Sequence, residues 1–200
     1  MIYFDNASTS FPKPQACLDF VNEYLKSYAV SPSRGSYALS NKVGSFVGKT
    51  KYELGKVLNL DSEKIFFSMN ATHSLNLVIK SVLTSGSHAI ICSNSHNSVI
   101  RPVHFAKKNL NCSYDVFNIE LDGTFDKDEL QSLVNDKTKA IILNHASNVT
   151  GQLSDLTSVA QICKKNSLLF LLDATQTAGY FHEGYQDADF VIGTGHKALL

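Results

Sequence analysis

Two short segments carry residues that could do chemistry together, Asp173-Ala-Thr-Gln176 and Thr194-Gly-His-Lys197. Each follows an apolar run, Leu168-Leu-Phe-Leu-Leu172 before the first and Phe190-Val-Ile192 before the second. Short apolar runs bounded by polar residues read as buried strands. An acid leaving one buried strand and a lysine leaving the next suit a pyridoxal phosphate (PLP) site. The lysine can hold the cofactor aldehyde as a Schiff base while the carboxylate holds the pyridinium proton.

Other strand ends carry groups that fit the same chemistry, each beside an ordinary alternative. Ser68-Met-Asn-Ala-Thr72 joins a strand to a helix whose first amides are free for a phosphate, with the Thr72 hydroxyl as an added donor. The same residues also suit a plain helix cap by Asn70 or Thr72. Asp173 would be costly to bury without a partner, which a protonated pyridine would supply, or it caps a following helix. Gln176 can reach the cofactor's phenolic oxygen or serve as a loop amide. Lys197 reads as a solvated surface group or as a desolvated amine, nucleophilic at neutral pH because burial lowers its pKa. Thr194 and His196 flank it and could hold phosphate. His96 can lay its ring on the pyridine and pass protons, or be a polar loop residue. Asn148 follows the next strand and could donate to the ring oxygen. Five successive strand ends thus present phosphate seat, stacking ring, amide, acid and lysine in one order.

The elements that must position these groups follow from hydrophobic periodicity. Asp5 to Pro14 is a polar, proline-punctuated loop. Apolar residues at Cys17, Phe20, Val21, Tyr24 and Leu25 predict a helix. After a break at Ser31-Pro-Ser-Arg-Gly-Ser36 a second helix follows, with Val43, Phe46, Val47, Leu54, Val57 and Leu58 inward. Strand–helix alternation then begins. Strands are predicted at Lys64–Ser68, His88–Cys92, Tyr114–Phe117, Ala140–Leu143, Leu168–Leu172 and Phe190–Ile192. Helices are predicted at Thr72–Leu83, Ser98–Lys108, Asp126–Val134 and Leu156–Lys165. That rhythm predicts an α/β fold, a mostly parallel sheet with helices on both faces and ligands at the carboxyl ends of its strands.

Two hundred residues suit one main core, read as a loop and helical segment over 1–60 and a PLP-binding region over 61–200. Lysine plus arginine, 18, equal aspartate plus glutamate, 18, which argues against a nucleic-acid binder. No apolar run reaches membrane-spanning length, and Met1-Ile-Tyr-Phe-Asp5 has no basic region typical of a signal peptide. Cys17, Cys92, Cys112 and Cys163 are scattered, which fits buried thiols in a reducing, cytoplasmic compartment better than a metal site. Gly44-Ser-Phe-Val-Gly48-Lys-Thr50 has one residue too few for a nucleotide phosphate loop and falls within a predicted helix.

The whole sequence resembles the first half of a class V, fold-type-I aminotransferase of the cysteine desulfurase-like group. The matching segments are Tyr3-Phe-Asp-Asn-Ala7, Ser33-Arg-Gly-Ser36, Phe67-Ser-Met-Asn-Ala-Thr72, Ser95-His-Asn-Ser98, His145-Ala-Ser-Asn-Val-Thr-Gly151, Asp173-Ala-Thr-Gln176 and Gly195-His-Lys197. The resemblance implies that Lys197 forms the Schiff base, Asp173 pairs with the pyridinium and His96 stacks on the ring. It also implies that Gln176 and Asn148 contact the ring oxygen and that Ala71, Thr72, Thr194 and His196 bind phosphate. The reaction implied is removal of sulfur from cysteine, giving alanine and an enzyme persulfide, in a homodimer that hands sulfur to an acceptor protein.

His73 and Ser95 stand where such proteins commonly have glutamate, and Tyr37 where many have histidine. The resemblance further implies a following half with another strand, a smaller domain, a carboxylate-gripping arginine and the sulfur-accepting cysteine. None of the four cysteines here matches that last position. This predicts a large-domain segment that folds poorly alone because a sheet edge is exposed. The alternatives are a selenocysteine lyase or aminotransferase of the same class, or an inert PLP-binding half.

Overall fold

The computed structural model describes residues 2–32 and 34–199; Ser33, the first residue of the Ser33–Ser36 motif, lies outside them. Strands β1 (His88–Cys92), β2 (Ser113–Phe117), β3 (Thr138–Asn144), β4 (Leu169–Asp173) and β5 (Phe190–Ile192) form one sheet. All pairs are parallel, in the order β2-β1-β3-β4-β5. The helices are α1 (Gln15–Ser27), α2 (Ala38–Leu58), α3 (Ala71–Val82), α4 (Asn97–Leu110), α5 (Lys127–Ser132) and α6 (Leu156–Asn166).

Alternation along the strands sorts the core into two layers. Ile90, Cys92, Ile141, Leu143, Phe170 and Leu172 pack with Leu130 of α5 and Leu156, Val159 and Ile162 of α6. The intervening Ala89, Ile91, Ala140, Ile142 and Leu171 pack with Leu75 and Ile79 of α3 and Val99 and Val103 of α4. Each fully buried leucine or isoleucine contributes about 1.5–3 kcal/mol. The chain runs outward from β1 to β2 through α4, then back past β1 to β3 through α5. A right-handed crossover in each direction puts α4 and α5 on opposite faces. The strand order therefore reverses between β1 and β3, and a crevice opens there at their carboxyl ends.

Helix starts are set by side chains that take up free amides. Asn70, Asp126 and Asp155 cap α3, α5 and α6 in this way. The left-handed residues Asn59, Asn111 and Ser167 terminate α2, α4 and α6.

Two expectations are corrected. Lys64–Ser68 is not a strand: Ser62–Lys64 is a single 3₁₀ turn, and Ile65–Ser68 pairs with no strand among the described residues. Phe66 and Phe67 are 83% and 55% exposed, so the apolar run has neither a ladder nor a core to join. The inward face predicted for the second helix is only partly inward. Val43 is buried, but Val57 is 49% exposed. The apolar stripe of α1 is also largely open, with Val21 and Leu25 exposed and Phe20 meeting Phe46 of α2 edge-on at 5.7 Å. Gly44 to Thr50 lies inside α2, which a phosphate loop would not. Among the described residues no helix is long and apolar enough to cross a membrane.

Candidate active site

A cavity of about 250 Å³ opens at the carboxyl ends of β1, β3, β4 and β5. Its walls include all nine residues singled out from the sequence: Ala71, Thr72, His96, Asn148, Asp173, Gln176, Thr194, His196 and Lys197. They come from five separate connections: four follow β1, β3, β4 and β5, whose carboxyl ends share one edge of the parallel sheet, and the fifth is the amino end of α3, packed against that sheet.

Asp173 is the last residue of β4, in register with Asn144 of β3 and Ile192 of β5, and only 2% exposed. No helix follows for it to cap. Its Oδ1 instead accepts the Thr175 amide at 3.1 Å and the Thr175 hydroxyl at 2.5 Å. Oδ2 has no hydrogen-bond partner among the described residues and belongs to a side chain that lines the cavity. Burial pushes the Asp173 carboxyl above the usual carboxylate range; the Thr175 bonds and the charges of His96 and Lys197 pull it back. Lys197 is half-buried on the same cavity, and burial lowers its amine below the ordinary lysine value while Asp173 opposes that shift. A buried acid with one unpartnered oxygen and a lysine of lowered pKa therefore share one cavity.

The amino end of α3 supplies the anion seat. Asn70 Oδ1 accepts the His73 amide at 2.8 Å, so the capping role is real. The amides of Ala71 and Thr72 still have no acceptor among the described residues, and both residues line the cavity. A cap and a phosphate seat thus coexist, because the cap uses the third amide and leaves the first two. Thr194 is buried on the same cavity. His196 is exposed, its Nδ1 3.1 Å from Thr9 Oγ1, and burial, Lys197 and Lys13 lower its pKa.

His96 caps α4: its Nδ1 accepts the Ser98 amide at 3.1 Å and lies 2.7 Å from the Ser98 hydroxyl. An amide can only donate, so Nδ1 acts as an acceptor, which selects the tautomer with its hydrogen on Nε2. Gln176 donates from Nε2 to the Ala7 carbonyl at 3.0 Å, which ties the amino-terminal loop to the cavity. Asn148 is exposed at the rim.

Sequence reading missed several wall residues. Ala7 and Ser8 come from the amino-terminal loop, where the Tyr3–Ala7 segment marks the resemblance but assigns no contact to either residue. That loop straps the lysine segment. Ser10 donates its amide to the His196 carbonyl at 3.0 Å and its hydroxyl to the Lys197 carbonyl, and Thr9 donates to the His196 carbonyl at 3.0 Å. Nothing local in Asp5–Pro14 announces a partner nearly two hundred positions away. Thr175 had a readable signal, since a hydroxyl two residues after an aspartate commonly folds back on it. Asn144 had none beyond following a predicted strand, and Ser98 none beyond its place in the Ser95–Ser98 segment.

The sequence profile described as aminotransferase class-V matches residues 2–200. The chain belongs to this family. Among its class-V relatives, a probable cysteine desulfurase of Borreliella burgdorferi is 30% identical over 209 residues, covering 100% of this chain and 49% of that protein. One of Halalkalibacterium halodurans is 26% identical, covering 98% of this chain and 50% of that protein. The apo structure of a cysteine desulfurase from Thermococcus onnurineus NA1 matches with a TM-score of 0.89 at 25% identity, over 98% of this chain and 50% of that one. A structure described as SspA in complex with cysteine shares the fold, with a TM-score of 0.90 at 19% identity over 98% of this chain and 57% of that one. The chain thus spans about half the length of the curated class-V relatives it matches.

Proposed function

We propose that this chain is the cofactor-binding part of a PLP-dependent, cysteine desulfurase-like enzyme. The observation that carries the reading is the shared cavity of Asp173 and Lys197 beside the two unpartnered amides of α3. The donor set fits the cofactor: free amides and a buried hydroxyl suit a phosphate, and an unpartnered carboxylate oxygen suits a protonated ring nitrogen. When bound, PLP supplies an aldehyde that condenses with amines and a cationic ring that withdraws electrons from a substrate Cα–H bond.

The residues divide the remaining work. Asp173, held by Thr175, would keep a proton on the ring nitrogen. Lys197, half-buried and with its amine lowered by burial, would hold the aldehyde through Nζ and, once free, would be the base at the substrate Cα. The Ala71 and Thr72 amides with Thr194 and His196 orient the phosphate. His96, whose Nδ1 is engaged by the Ser98 amide, would stack on the ring and offer Nε2 for proton transfer, and Gln176 and Asn148 would donate to the ring oxygen.

The substrate proposed is L-cysteine, as the names of the relatives suggest. One cysteine and one acceptor thiol give alanine and a persulfide on the acceptor. No cysteine of this chain lines the cavity among the described residues. Burial raises the thiols of Cys92 and Cys163, the latter to about 12, so neither offers a thiolate. The acceptor thiol is therefore assigned to another segment or another protein; the family resemblance, separately, is the ground for proposing a cytoplasmic homodimer as the working state.

The test is borohydride reduction of the chain mixed with PLP, followed by peptide mass mapping. A pyridoxyl label on Lys197, absent from Lys197→Ala and reduced by prior L-cysteine but not by N-acetylcysteine, is expected. A label spread over surface lysines, or one indifferent to cysteine, overturns the reading.

A further inference from the structure

Three polar side chains that this chemistry does not use are buried next to it. His145, Thr177 and Tyr185 are 6%, 1% and 0% exposed, and none lines the cavity. Tyr185 donates its hydroxyl to Thr177 Oγ1 at 2.9 Å, and Thr177 Oγ1 lies 2.8 Å from His145 Nδ1. The imidazole edge meets the Tyr185 ring at 5.7 Å and the Phe181 ring at 6.1 Å. These groups satisfy one another in a place where apolar side chains would pack at less cost, so their directionality is what they add.

What they hold is the turn after β4. His145 donates its main-chain amide to the Asp173 carbonyl at 3.0 Å, while its ring meets Thr177. One residue thus brackets both ends of the segment from Asp173 to Thr177. Inside the segment, the Thr177 and Ala178 amides both return to the Ala174 carbonyl, at 3.0 and 2.8 Å. The turn is closed on itself, its Ala174 amide donates to the Ile192 carbonyl, and its far end meets His145 and Tyr185 at Thr177. Thr175 and Gln176 project from it into the cavity, and Thr175 makes both bonds to Asp173 Oδ1.

We propose that His145, Thr177 and Tyr185 are positioning residues whose buried hydrogen-bond network fixes the Asp173–Thr177 turn, so that Thr175 holds Asp173 in the orientation PLP requires. This rests on the cofactor reading above. Loss of the Thr177 hydroxyl frees the turn, Thr175 drifts from Asp173, and the carboxylate loses its fixed direction toward the ring nitrogen.

The experiment measures PLP affinity, by titrating the Lys197-dependent visible absorbance, together with the cofactor-free melting temperature. The proteins are wild type, Thr177→Val, Thr177→Ser and Tyr185→Phe. Thr177→Val should weaken PLP binding about tenfold, the effect of one well-placed hydrogen bond. Thr177→Ser, which keeps the hydroxyl, should bind within about twofold of wild type, and Tyr185→Phe should fall between them. If Thr177→Val fails to fold, the Tyr185→Phe and Thr177→Ser pair carries the comparison. Variants that melt lower yet bind PLP as wild type does overturn the proposal and leave the cofactor reading intact. Wild type that forms no Lys197-dependent band overturns both.

Discussion

Acid should unfold this protein earlier than its carboxylates alone require, because His145 is buried neutral. Burial lowers its pKa from 6.5 to about 4. A histidine whose folded pKa lies below its unfolded value binds more protons when unfolded between those two values. Stability is therefore full above the unfolded pKa and is lost as pH falls through the window from 6.5 toward 4. With these two pKa values the loss attributable to His145 is about 2 kcal/mol between pH 7 and pH 5, and about 3 kcal/mol by pH 4. Against a typical domain stability of about 5–15 kcal/mol, that fraction is readily measured. The assay is urea unfolding of wild type and His145→Asn at several pH values. Asparagine keeps a hydrogen-bonding group near the Nδ1 position but does not titrate. The variant should be less stable at pH 7, because the ring's packing is lost, yet its curve should flatten between pH 7 and pH 5. Depressed groups such as Asp155 titrate alike in both proteins, so they cancel in the difference. Parallel curves for the two proteins would refute the reasoning.

Two further outcomes follow from particular contacts. Asp173→Asn should stabilise the cofactor-free chain at neutral pH, since a carboxyl whose folded pKa is raised contributes stability that is lost as pH rises through that value. The same change removes the charge that raises the Lys197 pKa, so Lys197 should label faster with an amine-reactive reagent at pH 8 while PLP binding weakens; slower labelling would contradict the shared-cavity geometry. Gly123→Ala should cost at least about 2 kcal/mol in a denaturant titration, as an overpacked, strained site. Gly123 has φ 89°, and an added Cβ would stand 1.6 Å from the Leu153 carbonyl oxygen, in the segment that carries Asn148.

The sequence alone determined the strand–helix rhythm from Ala71 onward, the two-sided core and the succession of polar groups at strand ends. These are local properties. A buried parallel strand must be a short apolar run, and the residue that follows it must sit at the sheet's carboxyl edge. That Asp173 and Lys197 would meet was legible for the same reason, since each ends or follows a neighbouring strand of the sheet.

Tertiary structure decided everything that needed a distant partner. Ile65–Phe67 has strand composition, yet a strand exists only if another backbone accepts its hydrogen bonds, and among the described residues none does. The stripe on α1 told which face was apolar but not what would cover it. The strap of Thr9 and Ser10 over His196 and Lys197, and the lock of Tyr185 and His145 on Thr177, join residues far apart in the chain. Hydroxyl and imidazole groups reveal no partner by type or spacing. They acquire one only when the sheet's order brings their loops together, which is why the residues that line the cavity could be read from the sequence and the hydrogen-bond network behind them could not.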